Sequence, residues 1–218
     1  MINIIGNSCV ASNITLDILK QKFINPFCWN IIDYISFGYL IKNYNTINFN
    51  NIELKFNENT KRYTLIIDNN INVYYEHYIE DINEKEILKK NNNVYYSNIK
   101  EYILKKYKNR LKLNNKPIFV IGSTWEINKE KYLQFEYIIK NNINKYPLIV
   151  IVNLNSDFEY LKKYENEFTK IYKTDLYKDN TTCALNIYEE YKDIFISNDD
   201  GDICNEQILI ENKNKKVE

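Results

Sequence analysis

The sequence predicts an α/β fold with three layers: a mostly parallel sheet with helices on both faces, and a small antiparallel β insertion at about residues 51–76. Three observations support it. Short uninterrupted apolar runs recur along the chain, helical patterns separate them, and one section alternates with period two instead. Uninterrupted runs are typical of strands buried on both faces, and alternation is typical of half-exposed antiparallel strands.

The chain opens with a pattern that predicts a strand, a tight turn and a helix. Residues 2–5 are β-branched isoleucines apart from Asn3, and Gly6 stops the run. After Asn7, Ser8 and Cys9, apolar residues recur at near-helical spacing as far as Lys20. This order is typical of the start of a doubly wound α/β fold.

The middle of the chain combines a helix with the antiparallel insertion. Residues 30–41 are aromatic and apolar on several sides, which predicts a helix packed into the body. Within residues 51–76, apolar and polar residues alternate in two runs, as in half-exposed strands. Charged helical patterns then cover residues 81–90 and 97–113.

The remainder alternates between strands and helices. The patterns predict strands at 117–121, 148–152, 171–173 and 194–197, and helices at 128–140, 157–168 and 184–191. Such alternation implies right-handed crossovers and a mostly parallel sheet. We expect one domain over residues 1–210 and a charged tail at 211–218.

Composition excludes several classes of function. Lys plus Arg and Asp plus Glu both total 29, so a nucleic acid is not expected as the main partner. No apolar run approaches the roughly 20 residues of a membrane span, and no signal-peptide pattern is present. The four cysteines lack metal-binding spacing, and the single histidine excludes a zinc site that needs two. We therefore expect no metal and reduced thiols in a cytoplasmic protein.

Three loops follow predicted parallel strands and should meet at one end of the sheet. They contain Asn7 and Ser8, then Ser123 and Thr124, and then Asn153 and Asn155. Ligands of open α/β sheets bind beyond the carboxyl ends of the strands, where free N–H groups of helix starts favour an anion. These residues are candidate substrate-binding groups, although the same residue types are also the usual helix N-caps.

Cys9 and His77 are the candidate catalytic pair. A thiol at a helix N-terminus has its thiolate favoured by the helix dipole, and the thiolate is the nucleophilic form. His77 is the only histidine available as its base. The other interpretation is an inert buried cysteine and an unrelated histidine.

The order of short motifs resembles two related bacterial and viral families. The motifs here are Ile5-Gly6-Asn7-Ser8-Cys9, Asn25-Pro26-Phe27-Cys28-Trp29, Glu76-His77-Tyr78 and a helix that contains Arg110. One family is labelled papain-like cysteine peptidases and has a Gly-Ser-Asn-Cys-like turn, Pro-Phe-Asp-Trp and a later His. The other is labelled exopolysaccharide-biosynthesis proteins and has an Asn-Asn-Cys turn and a His-Tyr pair.

This resemblance covers roughly residues 2–155 and implies a role for Cys9 and His77 as the families' Cys and His. It adds Trp29 and Arg110 to the substrate-binding candidates. The sequence departs from the first family at Cys28, where that family has Asp, and at Asn7-Ser8, where Ser and Asn are reversed. A further similarity is to capsule-biosynthesis acyltransferases that open with Gly-Asn-Cys, in which Ser8 would take the place of the cysteine.

Three functions fit these observations. The first is transfer of an acyl or related group to a sugar hydroxyl in surface-polysaccharide biosynthesis, with a donor such as acetyl-CoA and no resident cofactor required. The second is a cysteine peptidase or hydrolase, although papain-like enzymes place their cysteine on a long central helix. The third is a module that binds a carbohydrate or partner without catalysis.

Overall fold

The computed structural model describes residues 3–7, 9–20, 25–28, 30–57, 62–75, 92–111, 113, 116–122, 129–153, 159–174 and 180–197. These residues form a parallel sheet, an antiparallel sheet and helices, which confirms the predicted α/β class. In chain order the elements are β1 (Asn3–Gly6), α1 (Cys9–Asn13), a π-helical segment (Ile14–Ile18), β2 (Ile31–Ile32), α2 (Tyr34–Asn43), β3 (Ile52–Asn57), β4 (Arg62–Ile67), β5 (Ile71–Tyr75), α3 (Asn92–Arg110), β6 (Pro117–Gly122), α4 (Lys129–Asn141), β7 (Leu148–Asn153), α5 (Glu159–Lys162), β8 (Thr169–Thr174) and α6 (Asn180–Ser197).

The parallel sheet has the strand order β1-β6-β7-β8. Every residue of β6 and β7 is buried, and neither strand contains a charged residue. A central strand covered on both faces has no position that faces water, so its sequence is an uninterrupted apolar run. The predicted parallel strands at 117–121 and 148–152 are confirmed.

Two hydrophobic cores lie on opposite faces of this sheet. Successive residues of a strand point to opposite faces, so Ile4 and Ile5 belong to different cores. Ile4 packs with residues of α1 and α6, such as Ala11 and Phe195. Ile5 packs in a larger core with α2, α3, α4 and the antiparallel sheet.

The antiparallel sheet has the order β2-β5-β4-β3 and confirms the insertion. Its alternation is visible in β4, where Leu65 is buried and Ile66 is half-buried. Asp68 and Asn69 form the turn into β5 with φ angles of 51° and 59°. Asp and Asn tolerate this left-handed conformation better than other non-glycine residues. Strand β2 was not predicted, because a two-residue strand beside a helix leaves no periodic signal.

Several boundaries differ from the sequence-based predictions. The helix expected at 30–41 begins only at Tyr34, because Asp33 caps it by accepting a hydrogen bond from Ser36 N at 2.8 Å. The helix expected at 157–168 is the short α5, since the side chain of Asn166 accepts from Phe168 N and Thr169 N and fixes a turn.

The strand expected at 194–197 is wrong, because these residues are the end of α6. Phe195 is buried in the core behind the parallel sheet, and a short apolar run fits a buried helix as well as a strand. Helix α3 spans 92–110 where 97–113 was expected. The helix predicted at 81–90 and the tail at 211–218 lie outside the described residues.

Candidate functional site

The carboxyl ends of the four parallel strands meet at one end of the sheet. Strand register places Gly6 beside Val120, Gly122 beside Ile151, and Asn153 beside Thr174. The loops after β1, β6 and β7 therefore start from the same end, as the sequence predicted. This carboxyl end is the usual position of ligand sites in open α/β folds.

Asn7 joins the end of β1 to the end of β6. Its backbone N donates to Val120 O at 3.2 Å, and its side-chain Oδ1 accepts from Gly122 N at 2.9 Å. Its Nδ2 also donates to Gly122 O at 3.4 Å. The carboxamide thus continues the β ladder beyond Gly6, and Asn7 is buried. This candidate substrate-binding residue therefore lies at the carboxyl end of the sheet, where its side chain is hydrogen-bonded to the backbone of Gly122.

Cys9 is the first residue of α1. The helix continues without a break into the π-helical segment, where Leu19 N donates to Ile14 O at 3.0 Å. Val10, Ala11 and Ile14 are buried against the core behind the sheet. This packing fixes the N-terminus of α1 at the carboxyl end of the sheet. π-helical segments inside α-helices are frequent at functional sites.

Asn153 is the last residue of β7 and is buried beside β8. The other candidates divide into two groups. Arg110 is described and lies at the end of α3. Ser8, Trp29, His77, Ser123, Thr124 and Asn155 lie outside the described residues, as does the side chain of Cys9. The approach of Cys9 and His77 to each other therefore stays a prediction.

A buried polar cluster, which the sequence did not predict, lies beside β1 in the turn at residues 25–28. The side chain of Asn25 donates to Ile4 O at 2.6 Å and to Asn3 Oδ1 at 3.2 Å. Its Oδ1 accepts from Phe27 N at 2.9 Å and lies 3.6 Å from the Cys28 sulfur. Asn3 in turn donates to the Tyr44 hydroxyl at 2.7 Å. Polar residues inside otherwise apolar stretches were the only signal that could have found this cluster.

Cys28 and Arg110 lie near each other at this cluster. Burial raises the pKa of the Cys28 thiol to about 11, while a backbone hydrogen bond from Asn25, a side-chain hydrogen bond from Ser12 and the charge of Arg110 oppose the rise. Cys28 is therefore a neutral thiol at pH 7. Arg110, which was expected to bind substrate, lies close enough for its charge to favour the Cys28 thiolate.

Ser12 connects this cluster to the first turn of α1. It is buried, and it lies three residues after Cys9, which is about one helical turn. Asn30 ends the same turn region; its Nδ2 donates to Pro26 O at 3.0 Å. Its Oδ1 is buried without a hydrogen-bond partner among the described residues. The polar cluster therefore lies beside β1 and is connected to α1 by the hydrogen bond between Ser12 and Cys28.

Comparison of the chain with protein-family models, curated proteins and solved structures found no match. No helix among the described residues is long and apolar enough to cross a membrane. In the same part of the chain, no group of three or more His, Cys, Asp or Glu residues is arranged to hold a metal ion.

Proposed function

We propose that this protein is an enzyme that transfers an acyl or related group to a sugar hydroxyl during surface-polysaccharide biosynthesis, with Cys9 as its nucleophile. The observation that carries the proposal is the position of Cys9 as the first residue of the helix after β1, at the carboxyl end of the parallel sheet. The order of motifs around Cys9, His77 and Arg110 supports the choice of chemistry.

The partial positive charge at the N-terminus of α1 favours the thiolate form of a cysteine at this position. The first N–H groups of a helix have no partner within the helix, and the dipole favours negative charge there. Both effects lower the pKa of a thiol at this position and stabilise an oxyanion formed beside it. The packing of α1 against the sheet and the Asn7–Gly122 hydrogen bonds keep these groups in place.

The reaction proceeds in two steps. The Cys9 thiolate attacks the acyl carbonyl of a thioester donor such as acetyl-CoA, a C–S bond forms, and the donor thiolate leaves with a proton from the His77 imidazolium. His77 then removes the proton of the acceptor hydroxyl. That oxygen attacks the acyl-Cys9 carbonyl, a C–O bond forms, and the Cys9 thiolate is released.

The pH dependence of Cys9 alkylation tests the proposal. Each cysteine is located by peptide mass in the native protein and in His77→Ala. We expect a Cys9 thiolate that forms well below the roughly 8.5 of a free thiol, and a rise of this pKa in His77→Ala. Cys28 is the internal control, because its buried thiol, with a pKa of about 11, should react only after unfolding.

Two outcomes separate the alternatives. If Cys9 reacts only after unfolding, as Cys28 does, the thiol mechanism is wrong and the protein is better tested as a carbohydrate-binding module. If Cys9 is activated, incubation with a thioester donor should give an acyl adduct on the Cys9 peptide. Loss of the adduct to a sugar hydroxyl, rather than to water alone, distinguishes a transferase from a hydrolase.

A further inference from the structure

Helix α4 exposes large apolar side chains on its outer face. Leu133 is 54% exposed and Tyr137 is 43% exposed, while Phe135 and Ile138 bury the opposite face in the core. On the neighbouring helix α2, Ile35 is 71% exposed. Exposed apolar residues that lie singly are ordinary, but contiguous ones mark interaction sites.

These three side chains form one patch across α2 and α4. The two helices run side by side in the same direction: Tyr34 contacts Phe135 at one end, and Asn144 donates to Lys42 O at the other. The Tyr137 ring lies on Gly38, where a Cβ atom would come within 2.4 Å of Tyr137 Cε1. Ile35 precedes Gly38 by one turn and Leu133 precedes Tyr137 by one turn, so they lie on the same side of the pair.

The exposed residues of α4 have a self-complementary spacing. Glu130, Leu133, Tyr137 and Lys140 are all exposed, and they follow one another at intervals of three, four and three residues. We call this row the α4 stripe. Its spacing is that of the seam of a coiled coil. Leu133 and Tyr137 lie two residues on either side of Phe135, and Glu130 and Lys140 lie five residues on either side.

We infer that the α4 stripe is the interface through which two copies of this chain associate, with α4 packed antiparallel against α4 of the second copy. A two-fold axis at the level of Phe135 then places Leu133 against Tyr137 and Glu130 against Lys140 of the other copy. An isologous contact uses the same surface on both copies, so that surface must be complementary to itself. Here apolar Leu133 meets apolar Tyr137, and acidic Glu130 meets basic Lys140. A parallel pairing would instead oppose Glu130 to itself and Lys140 to itself.

Lys140 remains able to make the intermolecular pair. It forms an ion pair with Glu136 in its own chain, but its side chain is 63% exposed. Ile35 on α2 and Tyr160 on α5, which is 37% exposed, flank the stripe on its two sides. The second copy would cover these apolar groups together with the stripe.

Sedimentation velocity across the micromolar range tests the interface. We expect the wild-type protein to form a dimer as its concentration rises, and Leu133→Lys to weaken the association at least about tenfold. Leu185→Lys is the matched control, since Leu185 is 39% exposed on α6. Thermal unfolding of each variant shows that the chain is folded. A wild type that stays monomeric, or equal effects of the two variants, overturns the inference.

A charge swap tests the antiparallel geometry without changing the apolar contact. Glu130→Lys opposes two lysines at each end of the interface and should weaken the dimer. The double variant with Lys140→Glu restores opposite charges and should associate more tightly than Glu130→Lys alone or Lys140→Glu alone, the second of which shares its loss of the Glu136 pair. No recovery in the double variant, with its fold intact, contradicts the antiparallel pairing.

Discussion

Single asparagine side chains complete the backbone hydrogen bonding where the strands of this protein end. A carboxamide has both a donor and an acceptor, so it can replace a peptide group at the end of a β ladder. Asn7 does this at Gly122, and Asn25 donates to Ile4 O within β1. Asn166 accepts from two successive N–H groups at the start of β8. These asparagine side chains therefore contribute to the hydrogen bonding of the strands and not only to the loops.

Asn7→Ala should lower the free energy of unfolding by about 1–3 kcal/mol, because it leaves the buried groups of Gly122 without their side-chain partners. The midpoint of urea unfolding measures the change. Asn186→Ala is the control, since Asn186 is exposed on α6 and should change stability by no more than about 0.5 kcal/mol. Equal effects of the two variants would show that the Gly122 contact contributes little.

The sequence predicts the position of Asn7 but not its partner. An asparagine after a buried strand can cap a helix, bind a ligand or continue the ladder, and the same residue type serves all three. Arg110 was expected to bind substrate because of the motif resemblance alone. Its position near the buried Cys28 results from contacts between residues that are far apart in the chain. Such long-range pairs leave no local pattern.

At the scale of elements, the four-residue α5 is attached to α4 by side chains. Glu136 on α4 is paired with Lys140, and the Tyr160 hydroxyl on α5 donates to Glu136 Oε2 at 2.8 Å. The Tyr132 and Tyr160 rings lie 5.2 Å apart, and Lys163 Nζ lies 4.1 Å from the Tyr160 ring centroid. These contacts hold the described part of α5 against α4.

This network makes stability depend on pH. Hydrogen bonds from Lys140, Tyr164 and Tyr160 lower the pKa of the Glu136 carboxyl to about 2. A lowered folded-state pKa stabilises the protein above the unfolded value of about 4.3, and this contribution is lost as pH falls through that value toward about 2. Glu136→Gln should therefore lower the thermal midpoint at pH 7, and its difference from wild type should shrink in acid.

The control for this pH effect is Glu189→Gln, at an exposed position of α6. Its thermal midpoint should follow that of the wild type at both pH values. A Glu136→Gln variant with the same deficit at pH 7 and in strong acid would show that the loss comes from packing and not from the carboxylate.

Among the elements, the central strands were the most predictable. The apolar runs of β6 and β7 are short, rich in Ile and Val, and bounded by Pro and polar residues, and this combination favours a strand. The apolar residues 194–197 give a similar local signal, but α6 continues through them after a bend at Tyr191. The helix is stabilised there because Phe195 packs in the core. The residues that form this core are distant in the sequence, so the local pattern does not reveal it.

At the scale of the whole molecule, the two sheets share one core. Leu65 of the antiparallel sheet, Phe119 of the parallel sheet and Phe135 of α4 belong to the same buried cluster. The antiparallel insertion is therefore not an independent unit. A core shared in this way predicts that both sheets unfold in a single cooperative transition.

Leu65→Ala should lower the free energy of unfolding of the whole protein by about 2–5 kcal/mol, because it leaves a cavity in the shared core. Urea unfolding followed by both far-UV circular dichroism and tryptophan fluorescence should give coincident curves. Ile66→Ala, at the half-buried neighbouring position, should cost less. Two separated transitions in the Leu65 variant would contradict the shared core.

The turn at residues 25–28 covers part of an edge of the parallel sheet. Among the described residues, strand β1 lies at one edge of the parallel sheet, and an edge strand offers unpaired backbone groups to another chain. Asn25 occupies Ile4 O at the place where an incoming strand would bind. Removing this one amide would leave Ile4 O free to accept a hydrogen bond from an incoming strand. Asn25 therefore also limits the pairing of this edge with a strand from another chain.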